Sequence, residues 1–133
     1  MSDGRIVSPE DIVAYQNDIN ATIATCIVVM RDATVTDGIK LPTGSTVSCA
    51  GVTMRAIEDG TYGPVQRAGR AYVTAASAIT AGDDLMTDTA GKVVTLSAAT
   101  GVNAFRIGTA VGAASTDGDI LLADLDLGFK QGG

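Results

Sequence analysis

The sequence predicts an all-β fold, a small β-barrel or sandwich of about eight short strands, with one short helix near the N-terminus. Glycine accounts for 16 of 133 residues, well above the roughly 7% of an average protein, and aromatic residues for only 4%. Short runs rich in β-branched residues alternate with Gly and Asp-Gly turns, which is typical of all-β domains. At this length and with 46% hydrophobic residues, the chain is long enough for one domain with its own core.

The segment that opens with Ser8 predicts the single helix. Ser8 suits the N-cap, Pro9 suits the first helical position, and Asp11 sits close to the third position of a capping box. Apolar residues then recur at helical spacing, so we expect a helix over Pro9 to Asp18. The apolar residues of this helix are Ile12, Tyr15 and Ile19.

The rest of the chain predicts strands separated by turns. The segment Asp88 to Gly91 predicts a hairpin turn between two of them. The strand-like runs are Thr22 to Arg31, Thr46 to Ile57, Val65 to Thr74, Asp84 to Thr87, Lys92 to Ser97, Ala104 to Val111 and Ile120 to Leu127. The core candidates are Val93, Leu96, Ile107, Ile120 and Leu122.

Two divisions of the chain follow from these patterns. Residues 1–20 stand apart as an N-terminal arm with its helix, and residues 21–133 form the β-domain. Within the β-domain, Ala50 to Thr53 resembles Ile107 to Ala110, and Glu58 to Gly60 resembles Thr116 to Gly118. These offsets are 57 and 58 residues, which suggests an internal duplication of two β units; chance similarity in a Gly/Ala/Thr-rich chain is the alternative.

Charge and composition argue against several functions. Fifteen acidic and nine basic residues give a net charge of −6, which disfavours binding to nucleic acid. Histidine is absent, and no nucleophile motif or phosphate-binding loop occurs, so we expect no enzyme, no cofactor and no metal site. The acidic pairs Asp83-Asp84 and Asp117/Asp119 are interpreted as turn carboxylates, with Ca²⁺ binding as the alternative.

The sequence predicts neither a membrane-spanning segment nor a signal peptide. No apolar stretch is long enough to span a bilayer, and Met1 to Gly4 does not begin a signal peptide, so we expect synthesis in a cytosol. Cys26 and Cys49 lack metal-site spacing. They are interpreted as two buried small hydrophobic residues, and a disulfide between them stays open as the alternative.

Several segments, in a fixed order, resemble the structural cement or head decoration proteins of tailed bacteriophages. Each is weak by itself, and their order and spacing carry the resemblance, which covers about Cys26 to Leu127. The segments are Gly51 to Thr53, Gly69 to Val73, Ala78 to Leu85, Asp88 to Val94, Arg106 to Ala110 and Ala113 to Ile120.

This resemblance implies a non-enzymatic protein on the outer surface of an icosahedral phage capsid. Its partner would be the major capsid protein, and it would self-associate as a homotrimer at threefold and quasi-threefold sites of the virion after synthesis in the host cytoplasm. No nucleic acid or membrane partner is implied. The alternative is a β-clip or SAF-like ligand-binding module, which the segment Ile79 to Leu85 also resembles; another virion or surface-layer protein is a further possibility.

Six residues are candidates for protein contacts. Four of them lie in the N-terminal arm, which would dock on the major capsid protein or a neighbouring subunit; packing on its own β-domain is the alternative. Two arginines flank Gly69 and would pair with acids of a neighbouring subunit, with a solvated strand edge as the alternative. The candidates are Ile6, Val7, Ile12, Tyr15, Arg67 and Arg70.

Overall fold

A computed structural model describes residues 12–44, 47–96 and 103–131 and shows an all-β chain. Within these residues there are ten strands and no helix. The strands are β1 Ile12–Asn17, β2 Val28–Asp32, β3 Gly38–Lys40, β4 Gly51–Thr53, β5 Tyr62–Gln66, β6 Gly69–Thr74, β7 Asp84–Thr87, β8 Val93–Thr95, β9 Asn103–Ala110 and β10 Ile120–Gln131.

The ten strands divide between a closed barrel and a second sheet. The barrel has the order β1-β3-β2-β4-β5, and β5 pairs with β1 to close it. The second sheet has the order β6-β10-β9-β7-β8. The all-β prediction, with a barrel as one of its two forms, is therefore confirmed.

The two units share one strand order. Starting from β3, the strand order around the barrel is β3-β2-β4-β5-β1. The strand order of the second sheet is β8-β7-β9-β10-β6, which is the same order with five added to each strand number. In the barrel, β1 also pairs in parallel with β3, and the second sheet has a parallel bridge between Ala75 and Val93 at the corresponding place. Antiparallel bridges Ile23–Ile57 and Ile79–Ala114 also correspond. The barrel and the second sheet therefore share one strand topology.

Two groups of buried side chains hold the units together. One fills the barrel and includes Ile39, Ile57 and Val65, each fully buried. The other belongs mainly to the second sheet but also contains Val28 and Val52 of the barrel, so the two units share a core. Burial of apolar area stabilises a fold, so the residues that the two units bury together hold the units against each other.

The helix expected over Pro9 to Asp18 is wrong for residues 12–17, which form β1; its first residues lie outside the described part of the chain. β1 pairs with β5 over five residues and with β3 over two. Tyr15 and Asn17 point into the barrel, in the alternation of a strand. A ten-residue helix is marginal in water, so pairing with two neighbouring strands outweighs the local helix signals.

The other predictions are confirmed in part. β7 has the predicted bounds, and Asp88 to Gly91 forms the expected turn, in which the Asp88 carboxylate accepts the Ala90 and Lys92 amides. The predicted run Val65 to Thr74 divides into β5 and β6. Val93 and Ile107 are buried, Leu96 and Leu122 are half-buried, and Ile120 is exposed because β10 turns its alternate residues inward.

Candidate interaction surfaces

The candidates of the N-terminal segment lie in different environments. Ile6 and Val7 are outside the described residues. Ile12 lies on the outer side of β1 and is 46% exposed, so it is available for contacts. Tyr15 is buried in the barrel, and the guanidinium of the exposed Arg31 lies 5.0 Å from its ring centre, a cation–π distance.

The two candidate arginines lie at the junction of the barrel and the second sheet. Arg67 is exposed in the β5–β6 connection, and Arg70 lies on β6. The Arg70 Nε donates to the Asp124 Oδ1 of the neighbouring strand β10 at 2.9 Å, and both side chains are more than half exposed. Arg70 therefore has an acidic partner within its own chain.

An exposed apolar stripe follows the outer side of the barrel. Tyr62, 51% exposed, lies two residues before Pro64 on β5, so both side chains share one side of the strand. The carbonyl of Pro64 accepts the amide of Met54, which is 44% exposed. On β1, Ile12 is the next exposed apolar side chain along the stripe.

The second sheet carries an apolar stripe at the corresponding positions. Ile120 and Leu122 of β10 take the places of Tyr62 and Pro64, and the Leu122 carbonyl accepts the Val111 amide at 2.9 Å, as Pro64 does from Met54. Tyr72 of β6 lies opposite Leu122 and is 61% exposed. Exposed apolar side chains therefore occur at equivalent positions of the two units, on the outer side of β5 in the barrel and of β10 in the second sheet.

A pocket joins the two stripes. Its volume is about 130 Å³, and Met54 of the barrel stripe and Tyr72 of the second stripe both line it. We call the two stripes and this pocket the apolar band. It contains every large hydrophobic residue that is exposed in the described part of the chain: Ile12, Met54, Tyr62, Tyr72, Val111 and Ile120. The remaining lining residues of the pocket are Cys26, Thr53, Gln66, Arg70 and Ala71. Exposed apolar side chains grouped around a pocket are a candidate site of interaction.

Beyond the apolar band, the second sheet carries a charged network on β7, β9 and β10. Arg106 donates to Asp126 at 2.7 Å and to the Thr109 hydroxyl at 2.6 Å. Its Nε lies 3.2 Å from the Asp84 carboxylate. The Arg106 side chain is only 28% exposed, so its charged hydrogen bonds are partly shielded from solvent. They link β9 to its two neighbours, β7 and β10.

The carboxylates of the acidic pairs stabilise turns by hydrogen bonds and an ion pair. Asp119 accepts hydrogen bonds from the Ser115 amide and hydroxyl and from the Thr116 amide, which hold the pKa of its carboxyl below the usual value. The Asp83 carboxylate accepts the Thr80 amide and the Thr95 hydroxyl. Asp117 pairs with Lys92. In the described parts of the chain, no three acidic or cysteine side chains group as a metal site.

The two cysteines are free thiols in different environments. Cys49 is buried, and loss of solvation raises the pKa of its thiol to about 12. Cys26 is half-buried and lines the pocket, with a positive φ of 59°. Cys49 fits the expectation of a buried small residue, whereas Cys26 is more accessible than expected.

Most of the apolar band is not predicted from the sequence. Ile12 is among the predicted contact residues, but Met54, Tyr62 and Tyr72 are not, and Ile120 is predicted to lie in the core. A signal is present, because Tyr62 and Ile120 each lie two residues after the glycine of an acidic turn. Alternation along β10 then places Leu121 inside and Ile120 outside.

Comparison with known proteins points to one family. The model of a family described as "Phage cement protein" matches residues 12–125. Among solved structures, the N base of the head fiber gp8.5 of bacteriophage phi29 is similar, with a TM-score of 0.66 and 18% identity, over 86% of this chain and 92% of that chain. No curated protein matches. The described residues hold no helix with the length and apolar character to cross a membrane.

Proposed function

The chain belongs to the phage cement protein family, and from this membership we infer that it binds the outer surface of an icosahedral phage capsid and holds adjacent capsomers together. The family match over residues 12–125 is the observation that carries the proposal. It takes in nearly all of the described chain, including both β units. The chain is thus a phage structural protein of the capsid.

The proposed partner is the major capsid protein. The chain supplies a suitable surface, because the apolar band runs across both units and is exposed in the isolated chain. A net charge of −6 favours the outside of the shell over contact with the packaged DNA. By linking neighbouring capsomers, the protein would resist the outward pressure of that DNA, and many weak contacts on a symmetric shell would add up to strong retention.

We further propose that the protein acts without catalysis and as a homotrimer at threefold and quasi-threefold sites. Among the described residues, the polar side chains that come together stabilise turns or strands, as in the Arg106 network and the Asp119 turn. A trimer would form either before binding or on the shell. The N-terminal residues Ile6 and Val7 remain candidates for contacts with the shell or with a neighbouring subunit.

Heads of the parent phage made without this protein provide the test. The purified chain should bind them saturably, and cryo-electron microscopy should show it on the outer surface at threefold positions. Heads with the protein should open at a higher temperature than bare heads. Failure to bind, or density inside the shell, contradicts the proposal.

The trimer is tested separately, by light scattering on the free protein and by cryo-electron microscopy of the shell-bound protein. A mass of three times 13.4 kDa in solution, or three copies around each occupied axis of the shell, supports it. Single copies at isolated positions of the shell contradict it. The host cytoplasm as the place of synthesis is tested by fractionating infected cells before lysis.

A further inference from the structure

The pocket at the centre of the apolar band has the size of one side chain. An enclosed cavity of about 150 Å³ holds a benzene ring, and this pocket has a volume of about 130 Å³. Met54, Ala71 and Tyr72 give it an apolar lining. A single large apolar side chain entering such a pocket is the usual anchor of a protein interface.

One wall of the pocket is cationic. Arg70 lines it, and its guanidinium uses Nε to bind Asp124, the one acidic partner that the described residues provide. The side chain of Arg70 is 64% exposed, so its outer edge faces solvent. An arginine with a free edge binds a second carboxylate well, because the guanidinium donates in parallel from two nitrogens.

A second basic side chain borders the apolar band. Arg55 is exposed and donates to the carbonyl of Tyr62. In a chain with a net charge of −6, Arg55 and Arg70 therefore bring two cations to one surface. Such a surface is complementary to a partner that is apolar at its centre and acidic beside it.

From this arrangement we infer that the apolar band docks a segment of the capsid protein that inserts an apolar side chain into the pocket and presents a carboxylate to Arg70. The inference rests on the proposed capsid binding and names the surface and the chemistry of the contact. A second copy fits this surface less well, because pairing the same face on two copies would bring their Arg70 side chains together. The proposed trimer does not require this face, because threefold contacts join different faces of neighbouring copies.

Matched variants separate a partner contact from an effect within the chain. Arg70→Gln and Asp124→Asn both remove the Arg70–Asp124 pair, but only Arg70→Gln removes the guanidinium. We expect Arg70→Gln to weaken binding to bare heads at least about tenfold and Asp124→Asn to leave it unchanged or tighter. Tyr72→Ala should weaken it by a similar factor, whereas Tyr72→Phe keeps the ring.

Cys26 reports occupation of the pocket without any substitution there. Iodoacetamide at pH 8 should alkylate Cys26 in the free protein, while burial protects Cys49. On heads, we expect the Cys26 rate to fall at least about tenfold, as read by mass spectrometry of the recovered chain. Circular dichroism and thermal melting of each variant show that the fold is retained, as expected for side chains that are more than half exposed.

The outcomes distinguish this inference from the proposed function. Wild-type protein that fails to bind heads overturns the proposed function. Wild-type protein that binds, while Cys26 stays reactive and the Arg70 and Tyr72 variants bind equally well, overturns the docking surface alone. A variant that loses both head binding and self-association assigns the apolar band to a second copy, and this also overturns the inference.

Discussion

Gly108 of β9 lies against the backbone carbonyl oxygen of Asp124 on β10, where a Cβ atom would overlap that oxygen. Gly51 of β4 has the same relationship to the carbonyl oxygen of Gln66 on β5. The pairs occupy equivalent places in the two units. In each unit, therefore, the close approach of two adjacent strands depends on a residue without a side chain.

Replacing this glycine tests the close approach. Gly108→Ala should lower the free energy of unfolding by about 3 kcal/mol, because backbone must move to admit the methyl group. Gly112→Ala is the matched control, since its nearest neighbour would be 3.7 Å from the new Cβ. Urea denaturation of both variants measures the difference, and equal stability would show that the strands are less tightly packed than described.

Two truncations test whether the N-terminal segment belongs to the fold. Removal of residues 1–20 deletes β1, which exposes Ile39 and Val65 of the barrel core and leaves β5 without its partner. We expect this variant to lose cooperative thermal unfolding. Removal of residues 1–11 keeps all of β1 and should retain a cooperative transition; a stable fold without residues 1–20 would show that β1 is dispensable.

The Asp119 turn predicts a pH dependence of stability. Hydrogen bonds from the Ser115 amide and hydroxyl lower the pKa of Asp119 below 3.8 in the folded state. Its contribution is therefore fully present above the unfolded pKa and lost as the pH falls through the folded pKa. The Tm difference between wild type and Asp119→Asn should be constant from pH 5 to 7 and shrink below about pH 4.

Asp117→Asn is the control for that experiment, because Asp117 lies in the same loop, is 64% exposed and pairs only with Lys92 among the described groups. Exposed ion pairs contribute little, so its Tm should differ little from that of wild type across the range. A Tm difference for Asp119→Asn that persists unchanged to pH 2 would contradict the role of the carboxylate charge.

The thiols provide a fourth prediction. Cys49 is buried with a pKa raised to about 12, so its thiolate fraction at pH 8 is very small, whereas Cys26 is half-buried at the pocket. A thiol-reactive chromophore should therefore titrate one cysteine in the folded protein and two in guanidinium. Cys26→Ser should abolish the fast reaction, and two fast thiols in the folded protein would contradict the burial of Cys49.

The sequence predicts best those elements whose signals are local. β7 and its hairpin turn follow from Asp84 to Thr87 and the Asp88 to Gly91 turn, because the turn chemistry and the strand residues are neighbours. β1 was missed for the opposite reason. Its pairing partners on β5 are about 50 residues away, whereas the competing helix signals at Ser8 and Pro9 are adjacent.

The interaction surface was harder to predict than the fold. Ile120 and Leu121 are equally apolar, and only the register of β10 against β6 decides which of them faces solvent. The pocket is still less accessible to sequence reasoning, since Cys26, Met54 and Tyr72 come from three separate segments. Arg70 lies at the surface, but its pairing with Asp124 could be predicted only with knowledge of the sheet order.

The position of β10 determines the order in which the chain can fold during its synthesis. All barrel strands lie between residues 12 and 66, so the barrel is complete in sequence while the rest of the chain is still being translated. The second sheet instead places its last strand, β10, between β6 and β9. Until the ribosome has released β10, the edges of β6 and β9 that pair with it have no hydrogen-bonding partner, and the nascent chain is then most exposed to misassembly.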